Sequence, residues 1–156
     1  MGQRIVIIRI RGSVNVNRNI AATLDMFGLR RVNHAVLIDD RASYLGMLQK
    51  TKDYITWGSV DASDVALILR NRGEVIGGGR VTDEYVKANS SFKSIDDFAA
   101  AFSDFKAELS DLAGLKTLFR MHPPRKGHSG IKRAFAVGGA LGNRGDKIKA
   151  LIHKMR

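Results

Sequence analysis

The chain has 156 residues, of which 44% are hydrophobic and 26% are charged, and its net charge is +11. This composition predicts one globular domain, or a small core with an appended half, and excludes a disordered chain. The absence of cysteine excludes disulfides and thiolate metal sites, and it fits a reducing cytosol. No window approaches the roughly 20 apolar residues of a membrane-spanning helix, and the N-terminal apolar run is too short for a signal peptide, so we expect a soluble cytoplasmic protein.

Charge is segregated along the chain. Residues 1–52 hold nine basic and three acidic residues, residues 53–111 hold six and eleven, and residues 112–156 hold eleven and one. Two basic ends around an acidic middle predict a surface that faces a polyanion. A membrane would favour a basic amphipathic helix, whereas the C-terminal basic segment here is rich in Gly and Pro, so nucleic acid is the favoured partner.

The first 58 residues read as β-α-β-α-β, with two helices on one face of a three-stranded sheet. The predicted elements are Ile5–Arg11, Arg18–Phe27, Val32–Ile38, Arg41–Lys50 and Tyr54–Trp57. On the first strand, alternation predicts one core face with Val6, Ile8 and Ile10, and a second face that turns cationic at Arg9 and Arg11.

Local signals define the ends of the first two helices. Asn15 or Asn17 can cap the first helix and Gly28 can end it. Asp40 is suited to cap the second helix, whose Leu45 and Leu48 are expected to face inward together with Tyr44.

The second half is predicted to be mainly helical. Asp61 begins a helix over Ala62–Arg72, Thr82 opens a short helix to about Ala88, and Ser94 begins another. In that last helix the apolar residues repeat at helical spacing: Ile95, Phe98, Phe102 and Phe105. Asn143 is expected to cap a C-terminal helix to about Met155, with Ile148, Leu151, Ile152 and Met155 on its inner face.

Residues 112–145, here called the basic arm, contain seven Lys or Arg residues, no acid and both prolines. Such a segment cannot neutralise its own charge and needs an external polyanion. We expect it to be held between the phenylalanine-bearing helix before it and the amphipathic helix after it. The predicted division is therefore a core over residues 1–58 and a helical extension over 59–156 that carries the arm.

Catalytic and metal-binding alternatives are weaker. A strand at Phe135–Val137, a loop at Gly138–Gly142 and a following helix would imitate a nucleotide site, but GGALGNRG does not fit G-x-G-x-x-G. The four histidines lack the spacing of a metal site. The paired carboxylates lie at helix starts or at the end of a strand, where a structural role accounts for them. We expect no catalysis, cofactor, metal or small-molecule substrate, although a nucleotide-dependent enzyme using Gly138–Gly142 is one rival.

The remaining chemistry is a set of cations suited to phosphate, weighed against an ordinary solvated face. It comprises Arg9, Arg11 and Arg18, the pair Arg30 and Arg31, and Lys116, Arg120, Arg125, Lys126, Lys132, Arg133 and Arg144 of the basic arm. His122 and His128 lie among these cations, where they are either partners for phosphate or base, or solvated loop residues.

The chain resembles the family of large-subunit ribosomal protein number thirty. The resemblance rests on IVIIRIRGS, on ATLDMFGLRRVNHAVLIDD with His34 in its typical string, and on YLGML in residues 4–58, which match the short bacterial form. LRNRGEVIGGGRVTDEYV, HPPRKGHSGIKRAFAVGG and GGALGNRGDKIKALI match the long form of archaea and eukaryotes. The eukaryotic form carries a long basic N-terminal extension that this chain lacks, which points to the archaeal form.

This resemblance implies a ferredoxin-like α+β core, with a three-stranded sheet of order 3-1-2 and two helices on one face, followed by a mainly helical extension. It also implies a structural constituent of the cytoplasmic large ribosomal subunit. The expected partners are large-subunit ribosomal RNA, in the neighbourhood of 5S RNA, and neighbouring ribosomal proteins. By the same resemblance Ser13 and Asn15 join the cations above as RNA-facing residues. A free-standing RNA-binding regulator or ribosome assembly factor is the other rival.

Overall fold

The computed structural model describes residues 2–156, which form an α+β fold with five strands and six α-helices. The strands are β1 (Arg4–Arg9), β2 (His34–Asp39), β3 (Ile55–Ser59), β4 (Leu118–Arg120) and β5 (Gly142–Asn143). The helices are α1 (Arg18–Phe27), α2 (Ala42–Thr51), α3 (Ala62–Arg72), α4 (Asp83–Asn89), α5 (Ile95–Ser103) and α6 (Ile148–Met155). No helix among these residues is long and apolar enough to cross a membrane.

The strand order is β4-β2-β1-β3-β5, so the predicted three-stranded sheet is wrong in strand number and in full order. Its centre, β2-β1-β3, is antiparallel throughout and keeps the expected neighbours. The basic arm supplies both additional strands: β4 pairs antiparallel with β2, and β5 pairs parallel with β3. Each covers backbone donors and acceptors that would otherwise be open at a sheet edge.

Both faces of the sheet are buried, which corrects the expectation that one face of β1 becomes cationic. Ile5 and Ile7 pack under α1 and α2 with Leu24, Phe27 and Leu48. Val6, Ile8 and Ile10 pack instead against residues from α3, α5 and α6 of the extension. Arg9 lies on the first of these faces, yet only 4% of it is exposed. A sheet buried on both faces explains why β1 reads as a nearly continuous apolar run.

Most helix ends follow their local signals. Asn17 accepts a hydrogen bond from the Asn19 N–H at the start of α1, and Gly28 ends that helix with φ of 80°. The carboxylate of Asp64 accepts from the Asp61 N–H at 3.0 Å at the start of α3. Thr82 and Ser94 accept at the starts of α4 and α5 as predicted.

Three local predictions are wrong. Asp40 does not cap α2, since Arg41 is the N-cap residue and makes no side-chain capping bond. Leu45 and Phe105 are exposed, at 43% and 41%. The strand that the nucleotide-binding alternative required at Phe135–Val137 is instead a short 3-10 helix.

The predicted cap at Asn143 is displaced. Its side chain accepts from the Gly145 N–H at 2.8 Å, but a 3-10 turn over Gly145–Lys147 intervenes before α6 begins. The inner face of α6 is buried as expected.

Candidate nucleic-acid interface

The basic segments meet at one end of the sheet. Because β1 is antiparallel to both neighbours, its end at Arg9 lies beside the starts of β2 and β3, with Arg9 opposite Ile55. Arg120 at the end of β4 lies opposite His34 at the start of β2. We call this the basic end and define it as residues 9–18, 30–34 and 120–133. Cations that are about 100 positions apart in sequence are thereby brought to one surface.

A cationic cleft opens at the basic end beside β4. It is lined by Arg30, Arg31, His34, Leu118 and Arg120. Within residues 2–156 these arginines form one ion pair, between Arg30 Nε and Asp25 Oδ1 at 3.7 Å, and both partners are exposed. An exposed pair at that distance contributes little. The cleft therefore presents largely uncompensated guanidinium groups, which suit phosphate oxygens.

His34 in this cleft is the residue that reasoning from sequence left out of the site. Its Nδ1 is buried without a hydrogen-bond partner in the described part of the chain. Burial lowers the pKa of its imidazole, and the positive charges of Arg120, Arg31 and Arg9 lower it further. Its position opposite Arg120 depends on the three-residue β4, whose pairing no local pattern reveals.

Arg9 is committed to the protein. Its guanidinium donates to the Leu29 carbonyl at 2.6 Å, to the Arg11 carbonyl at 2.9 Å and to the Ser13 hydroxyl at 3.0 Å. Burial lowers its pKa, and Asp25 partly opposes that shift. These bonds tie the end of β1 and the loop after it to the segment that follows α1, so Arg9 holds the basic end together.

Arg144 and Lys116 are also engaged within the chain. Arg144 donates to the Thr56 hydroxyl and to the Ala140 carbonyl, both at 2.9 Å, and burial lowers its pKa. Lys116 Nζ lies 3.5 Å from Glu74 Oε2. The Arg144 bonds stabilise the path of the basic arm, whereas the half-exposed Lys116 pair contributes little.

The loop after β1 is exposed and partly preformed. Ser13, Asn15 and Arg18 are all exposed, and Asn15 has φ of 57°, a left-handed conformation that Asn tolerates better than most residues. Arg11 is half-buried, with its guanidinium 5.1 Å from the centroid of the Tyr54 ring. Four predicted residues thus lie between the end of β1 and the first residue of α1, at the basic end.

The basic arm beyond β4 is anchored by its backbone. The His122 N–H donates to the Met155 carbonyl at 2.9 Å, and the Arg125 N–H donates to the Lys154 carbonyl at 3.1 Å. The side chains of Arg125, Lys126, Lys132 and Arg133 are exposed, as is that of His122. His128 is half-buried, and its pKa is lowered by burial and then by Arg144 and Lys154.

The opposite end of the sheet carries carboxylates that have partners within the protein. Arg4 at the start of β1 pairs with Glu108 at 2.9 Å, and Asp39 lies opposite Arg4 in the register. Ser59 at the end of β3 donates to Asp146 at 2.6 Å. Arg41 also pairs with Asp39, at 2.7 Å. The two ends therefore differ because the cations of the basic end are largely uncompensated, and a polyanion is attracted to that end.

Comparisons with known proteins all match a single family of ribosomal proteins. Residues 5–55 match the family model described as ribosomal protein L30p/L7e. The chain is 51% identical over 150 residues to the large ribosomal subunit protein uL30 of Methanocella arvoryzae, covering 96% of this chain and 98% of that protein. It is 52% identical to the protein of the same name from Methanopyrus kandleri, over 94% of this chain and 99% of the relative. For Methanobrevibacter smithii the identity is 51%, with coverage of 96% and 98%.

Proposed function

The chain belongs to the ribosomal protein L30p/L7e family, and we propose that it binds large-subunit ribosomal RNA with the basic end of its sheet. It is a structural constituent of the large subunit of cytoplasmic ribosomes. The observation that supports the binding surface is the convergence of three basic segments beside an open cleft of arginines. We infer no catalytic activity, and the role is to hold folded RNA in place.

The candidate residues divide into two groups by their contacts. Arg30, Arg31 and Arg120, which line the cleft with His34, are the proposed contacts to phosphate and sugar. The exposed residues of the loop and arm extend that surface: Arg11, Ser13, Asn15, Arg18, His122, Arg125, Lys126, Lys132 and Arg133. Arg9 and Arg144 position these groups by bonds within the chain, Lys116 is paired with Glu74, and His128 is half-buried within the arm. Such a surface recognises the shape and backbone of folded RNA more than its sequence.

Two finer assignments belong to the same proposal. The RNA contact lies near 5S RNA, an assignment supported by the family resemblance alone. The acidic middle of the chain, residues 53–111, faces solvent or neighbouring ribosomal proteins, because its net negative charge would repel RNA phosphates.

Binding of a large-subunit ribosomal RNA transcript across a salt series tests the binding surface. If about six phosphates are contacted, log K falls with log salt at a slope of about −4 to −5. Arg31→Ala with Arg120→Ala should reduce the steepness of that slope by about 0.7–0.9 per lost contact. The control removes two exposed cations outside the basic end, Lys87→Ala with Lys93→Ala, and should leave the slope unchanged. A salt-independent affinity for the wild type would contradict the proposal.

Sedimentation separates a stable constituent from a free-standing regulator. Ribosomal subunits are washed at high salt, and the chain is then located in the gradient. Retention with the large subunit is expected. The contacts are spread over a folded RNA surface, so release requires that they all break together. Release at moderate salt would favour the regulator or assembly factor.

A further inference from the structure

An apolar groove lies next to the cationic cleft at the basic end. It is lined by Ile10, Gly12, Val14, Val32, Tyr54 and Ile131, with Arg11 and Lys132 beside them. The groove and the cleft share the segment 30–34, which contributes Val32 to the groove and three side chains to the cleft. Four separate parts of the chain therefore meet in this groove.

Three aliphatic side chains of the groove are open to solvent. Val14 is 86% exposed, Ile131 is 46% exposed and Val32 is 39% exposed. One exposed aliphatic residue is ordinary on a protein surface, but three from different segments that face the same groove mark a binding surface.

The groove also has a fixed aromatic wall. The Tyr54 carbonyl accepts hydrogen bonds from the Ile10 N–H at 2.9 Å and from the Arg11 N–H at 3.1 Å. The Arg11 guanidinium lies 5.1 Å from the Tyr54 ring centroid, within the range of a cation–π contact. Backbone and side chain together hold this wall in place before any ligand arrives.

We propose that the groove takes one unstacked base of the ribosomal RNA, with Arg11 and Lys132 on its flanking phosphates. This inference rests on the proposed function and names the part of RNA that the groove recognises. The ligand must offer an apolar surface and negative charge together, because the charged groups lining the groove are both cations. Bases of folded RNA that leave their helical stack offer both, and they are commonly held on apolar and aromatic side chains.

The test separates contact with a base from contact with a phosphate. Val14→Ser with Ile131→Ser removes apolar surface and leaves every charge in place, so binding of the large-subunit ribosomal RNA transcript should weaken about 5- to 150-fold. The slope of log K against log salt should stay at the wild-type value, because no phosphate contact is lost. Ile76→Ser is the matched control, since Ile76 is 71% exposed and lies outside the groove. It should bind as the wild type does.

Several outcomes would overturn the inference. Wild-type RNA affinity of the double variant would exclude a base contact. If that variant bound RNA normally but failed to join large subunits, the groove would be a docking site for a protein. A reduced salt slope would show that the substitutions act through displaced cations. Thermal melting checks the fold, and Val14→Ser alone replaces the pair if the pair unfolds, because that side chain makes little contact with the core. A flat salt response of the wild type would instead contradict the proposed function itself.

Discussion

At the scale of single residues, the same amino acid serves two different purposes at the basic end. Arg9 is buried and uses its guanidinium on three acceptors of the protein, whereas Arg31 lies in the open cleft. Each has an apolar neighbour in the sequence, and the sequence alone predicts that both are available to phosphate. The difference depends on whether acceptors from another part of the chain surround the guanidinium, and no local pattern records that.

Substitution of Arg9 by Lys separates positioning from phosphate contact. Lysine keeps the charge but cannot reach three acceptors in the geometry of the guanidinium fork, so the free energy of unfolding should fall by about 1–3 kcal/mol. RNA affinity should also fall, because the loop after β1 loses its anchor, while the salt slope is retained. Chemical denaturation and the salt series measure the two effects. Arg31→Lys is the control and should leave stability unchanged. Wild-type stability for Arg9→Lys would argue against its positioning role.

His34 should couple RNA binding to pH. In the free protein its pKa lies below the usual value of about 6.5, because of burial and then Arg120, Arg31 and Arg9. A phosphate in the cleft offsets those positive charges and raises this pKa, so binding takes up a proton. Affinity should therefore increase as pH falls from about 7.5 towards 5.5.

The comparison that isolates His34 is with His34→Gln, measured over the same pH range. Glutamine retains a hydrogen-bonding side chain but does not titrate, so the pH dependence should become shallower than that of the wild type. The other histidines are present in both proteins and cancel in the difference. Identical pH profiles would place phosphate away from His34.

At the scale of elements, sequence reasoning was most accurate where the signals are local. The bounds of α1 and α3 are confirmed to the residue, and so are the caps Thr82 and Ser94, while Asn17 is the cap of the two alternatives Asn15 and Asn17. Capping and apolar spacing act within a few residues, so a sequence window contains all the information. Strands β4 and β5 were missed because they have three and two residues and are defined by partners far away in the chain. The second buried face of the sheet was missed for the same reason, since its cover comes from the extension.

Gly58 in β3 tests how closely the extension packs on the sheet. A Cβ at this position would lie 2.6 Å from the Ile148 side chain and would overlap the Gly145 carbonyl. Gly58→Ala should therefore force α6 and the turn before it away from β3, at a cost of about 1–3 kcal/mol or more in the free energy of unfolding.

Gly46 in the middle of α2 provides the matched control, because a Cβ there meets nothing within 4 Å. Gly46→Ala should stabilise the protein by about 0.5–1 kcal/mol through helix propensity. Urea unfolding of both variants gives the comparison. Equal effects of the two substitutions would mean that the extension does not press against β3.

At the scale of the whole molecule, the charge that is segregated along the chain becomes segregated in space. The basic arm begins near one sheet edge with β4 and reaches the other with β5, so its backbone is fixed on both sides of the core. The sequence predicted a tethered arm and a polyanionic partner. Which cations remain free for that partner could not be predicted, because Arg144 and Lys116 find their own partners only in the folded chain.

The arm can therefore lose its free cations without losing its fold. Arg125, Lys126, Lys132 and Arg133 are exposed, and the bonds that anchor the arm to α6 come from backbone N–H groups. Changing all four to Ala should leave the thermal midpoint close to that of the wild type. Binding to the large-subunit ribosomal RNA transcript should weaken, and the salt slope should become shallower by about 0.7–0.9 for each of these residues that contacts phosphate. Unfolding of the variant would show that these side chains hold the arm in place, and an unchanged slope would show that the arm lies away from RNA.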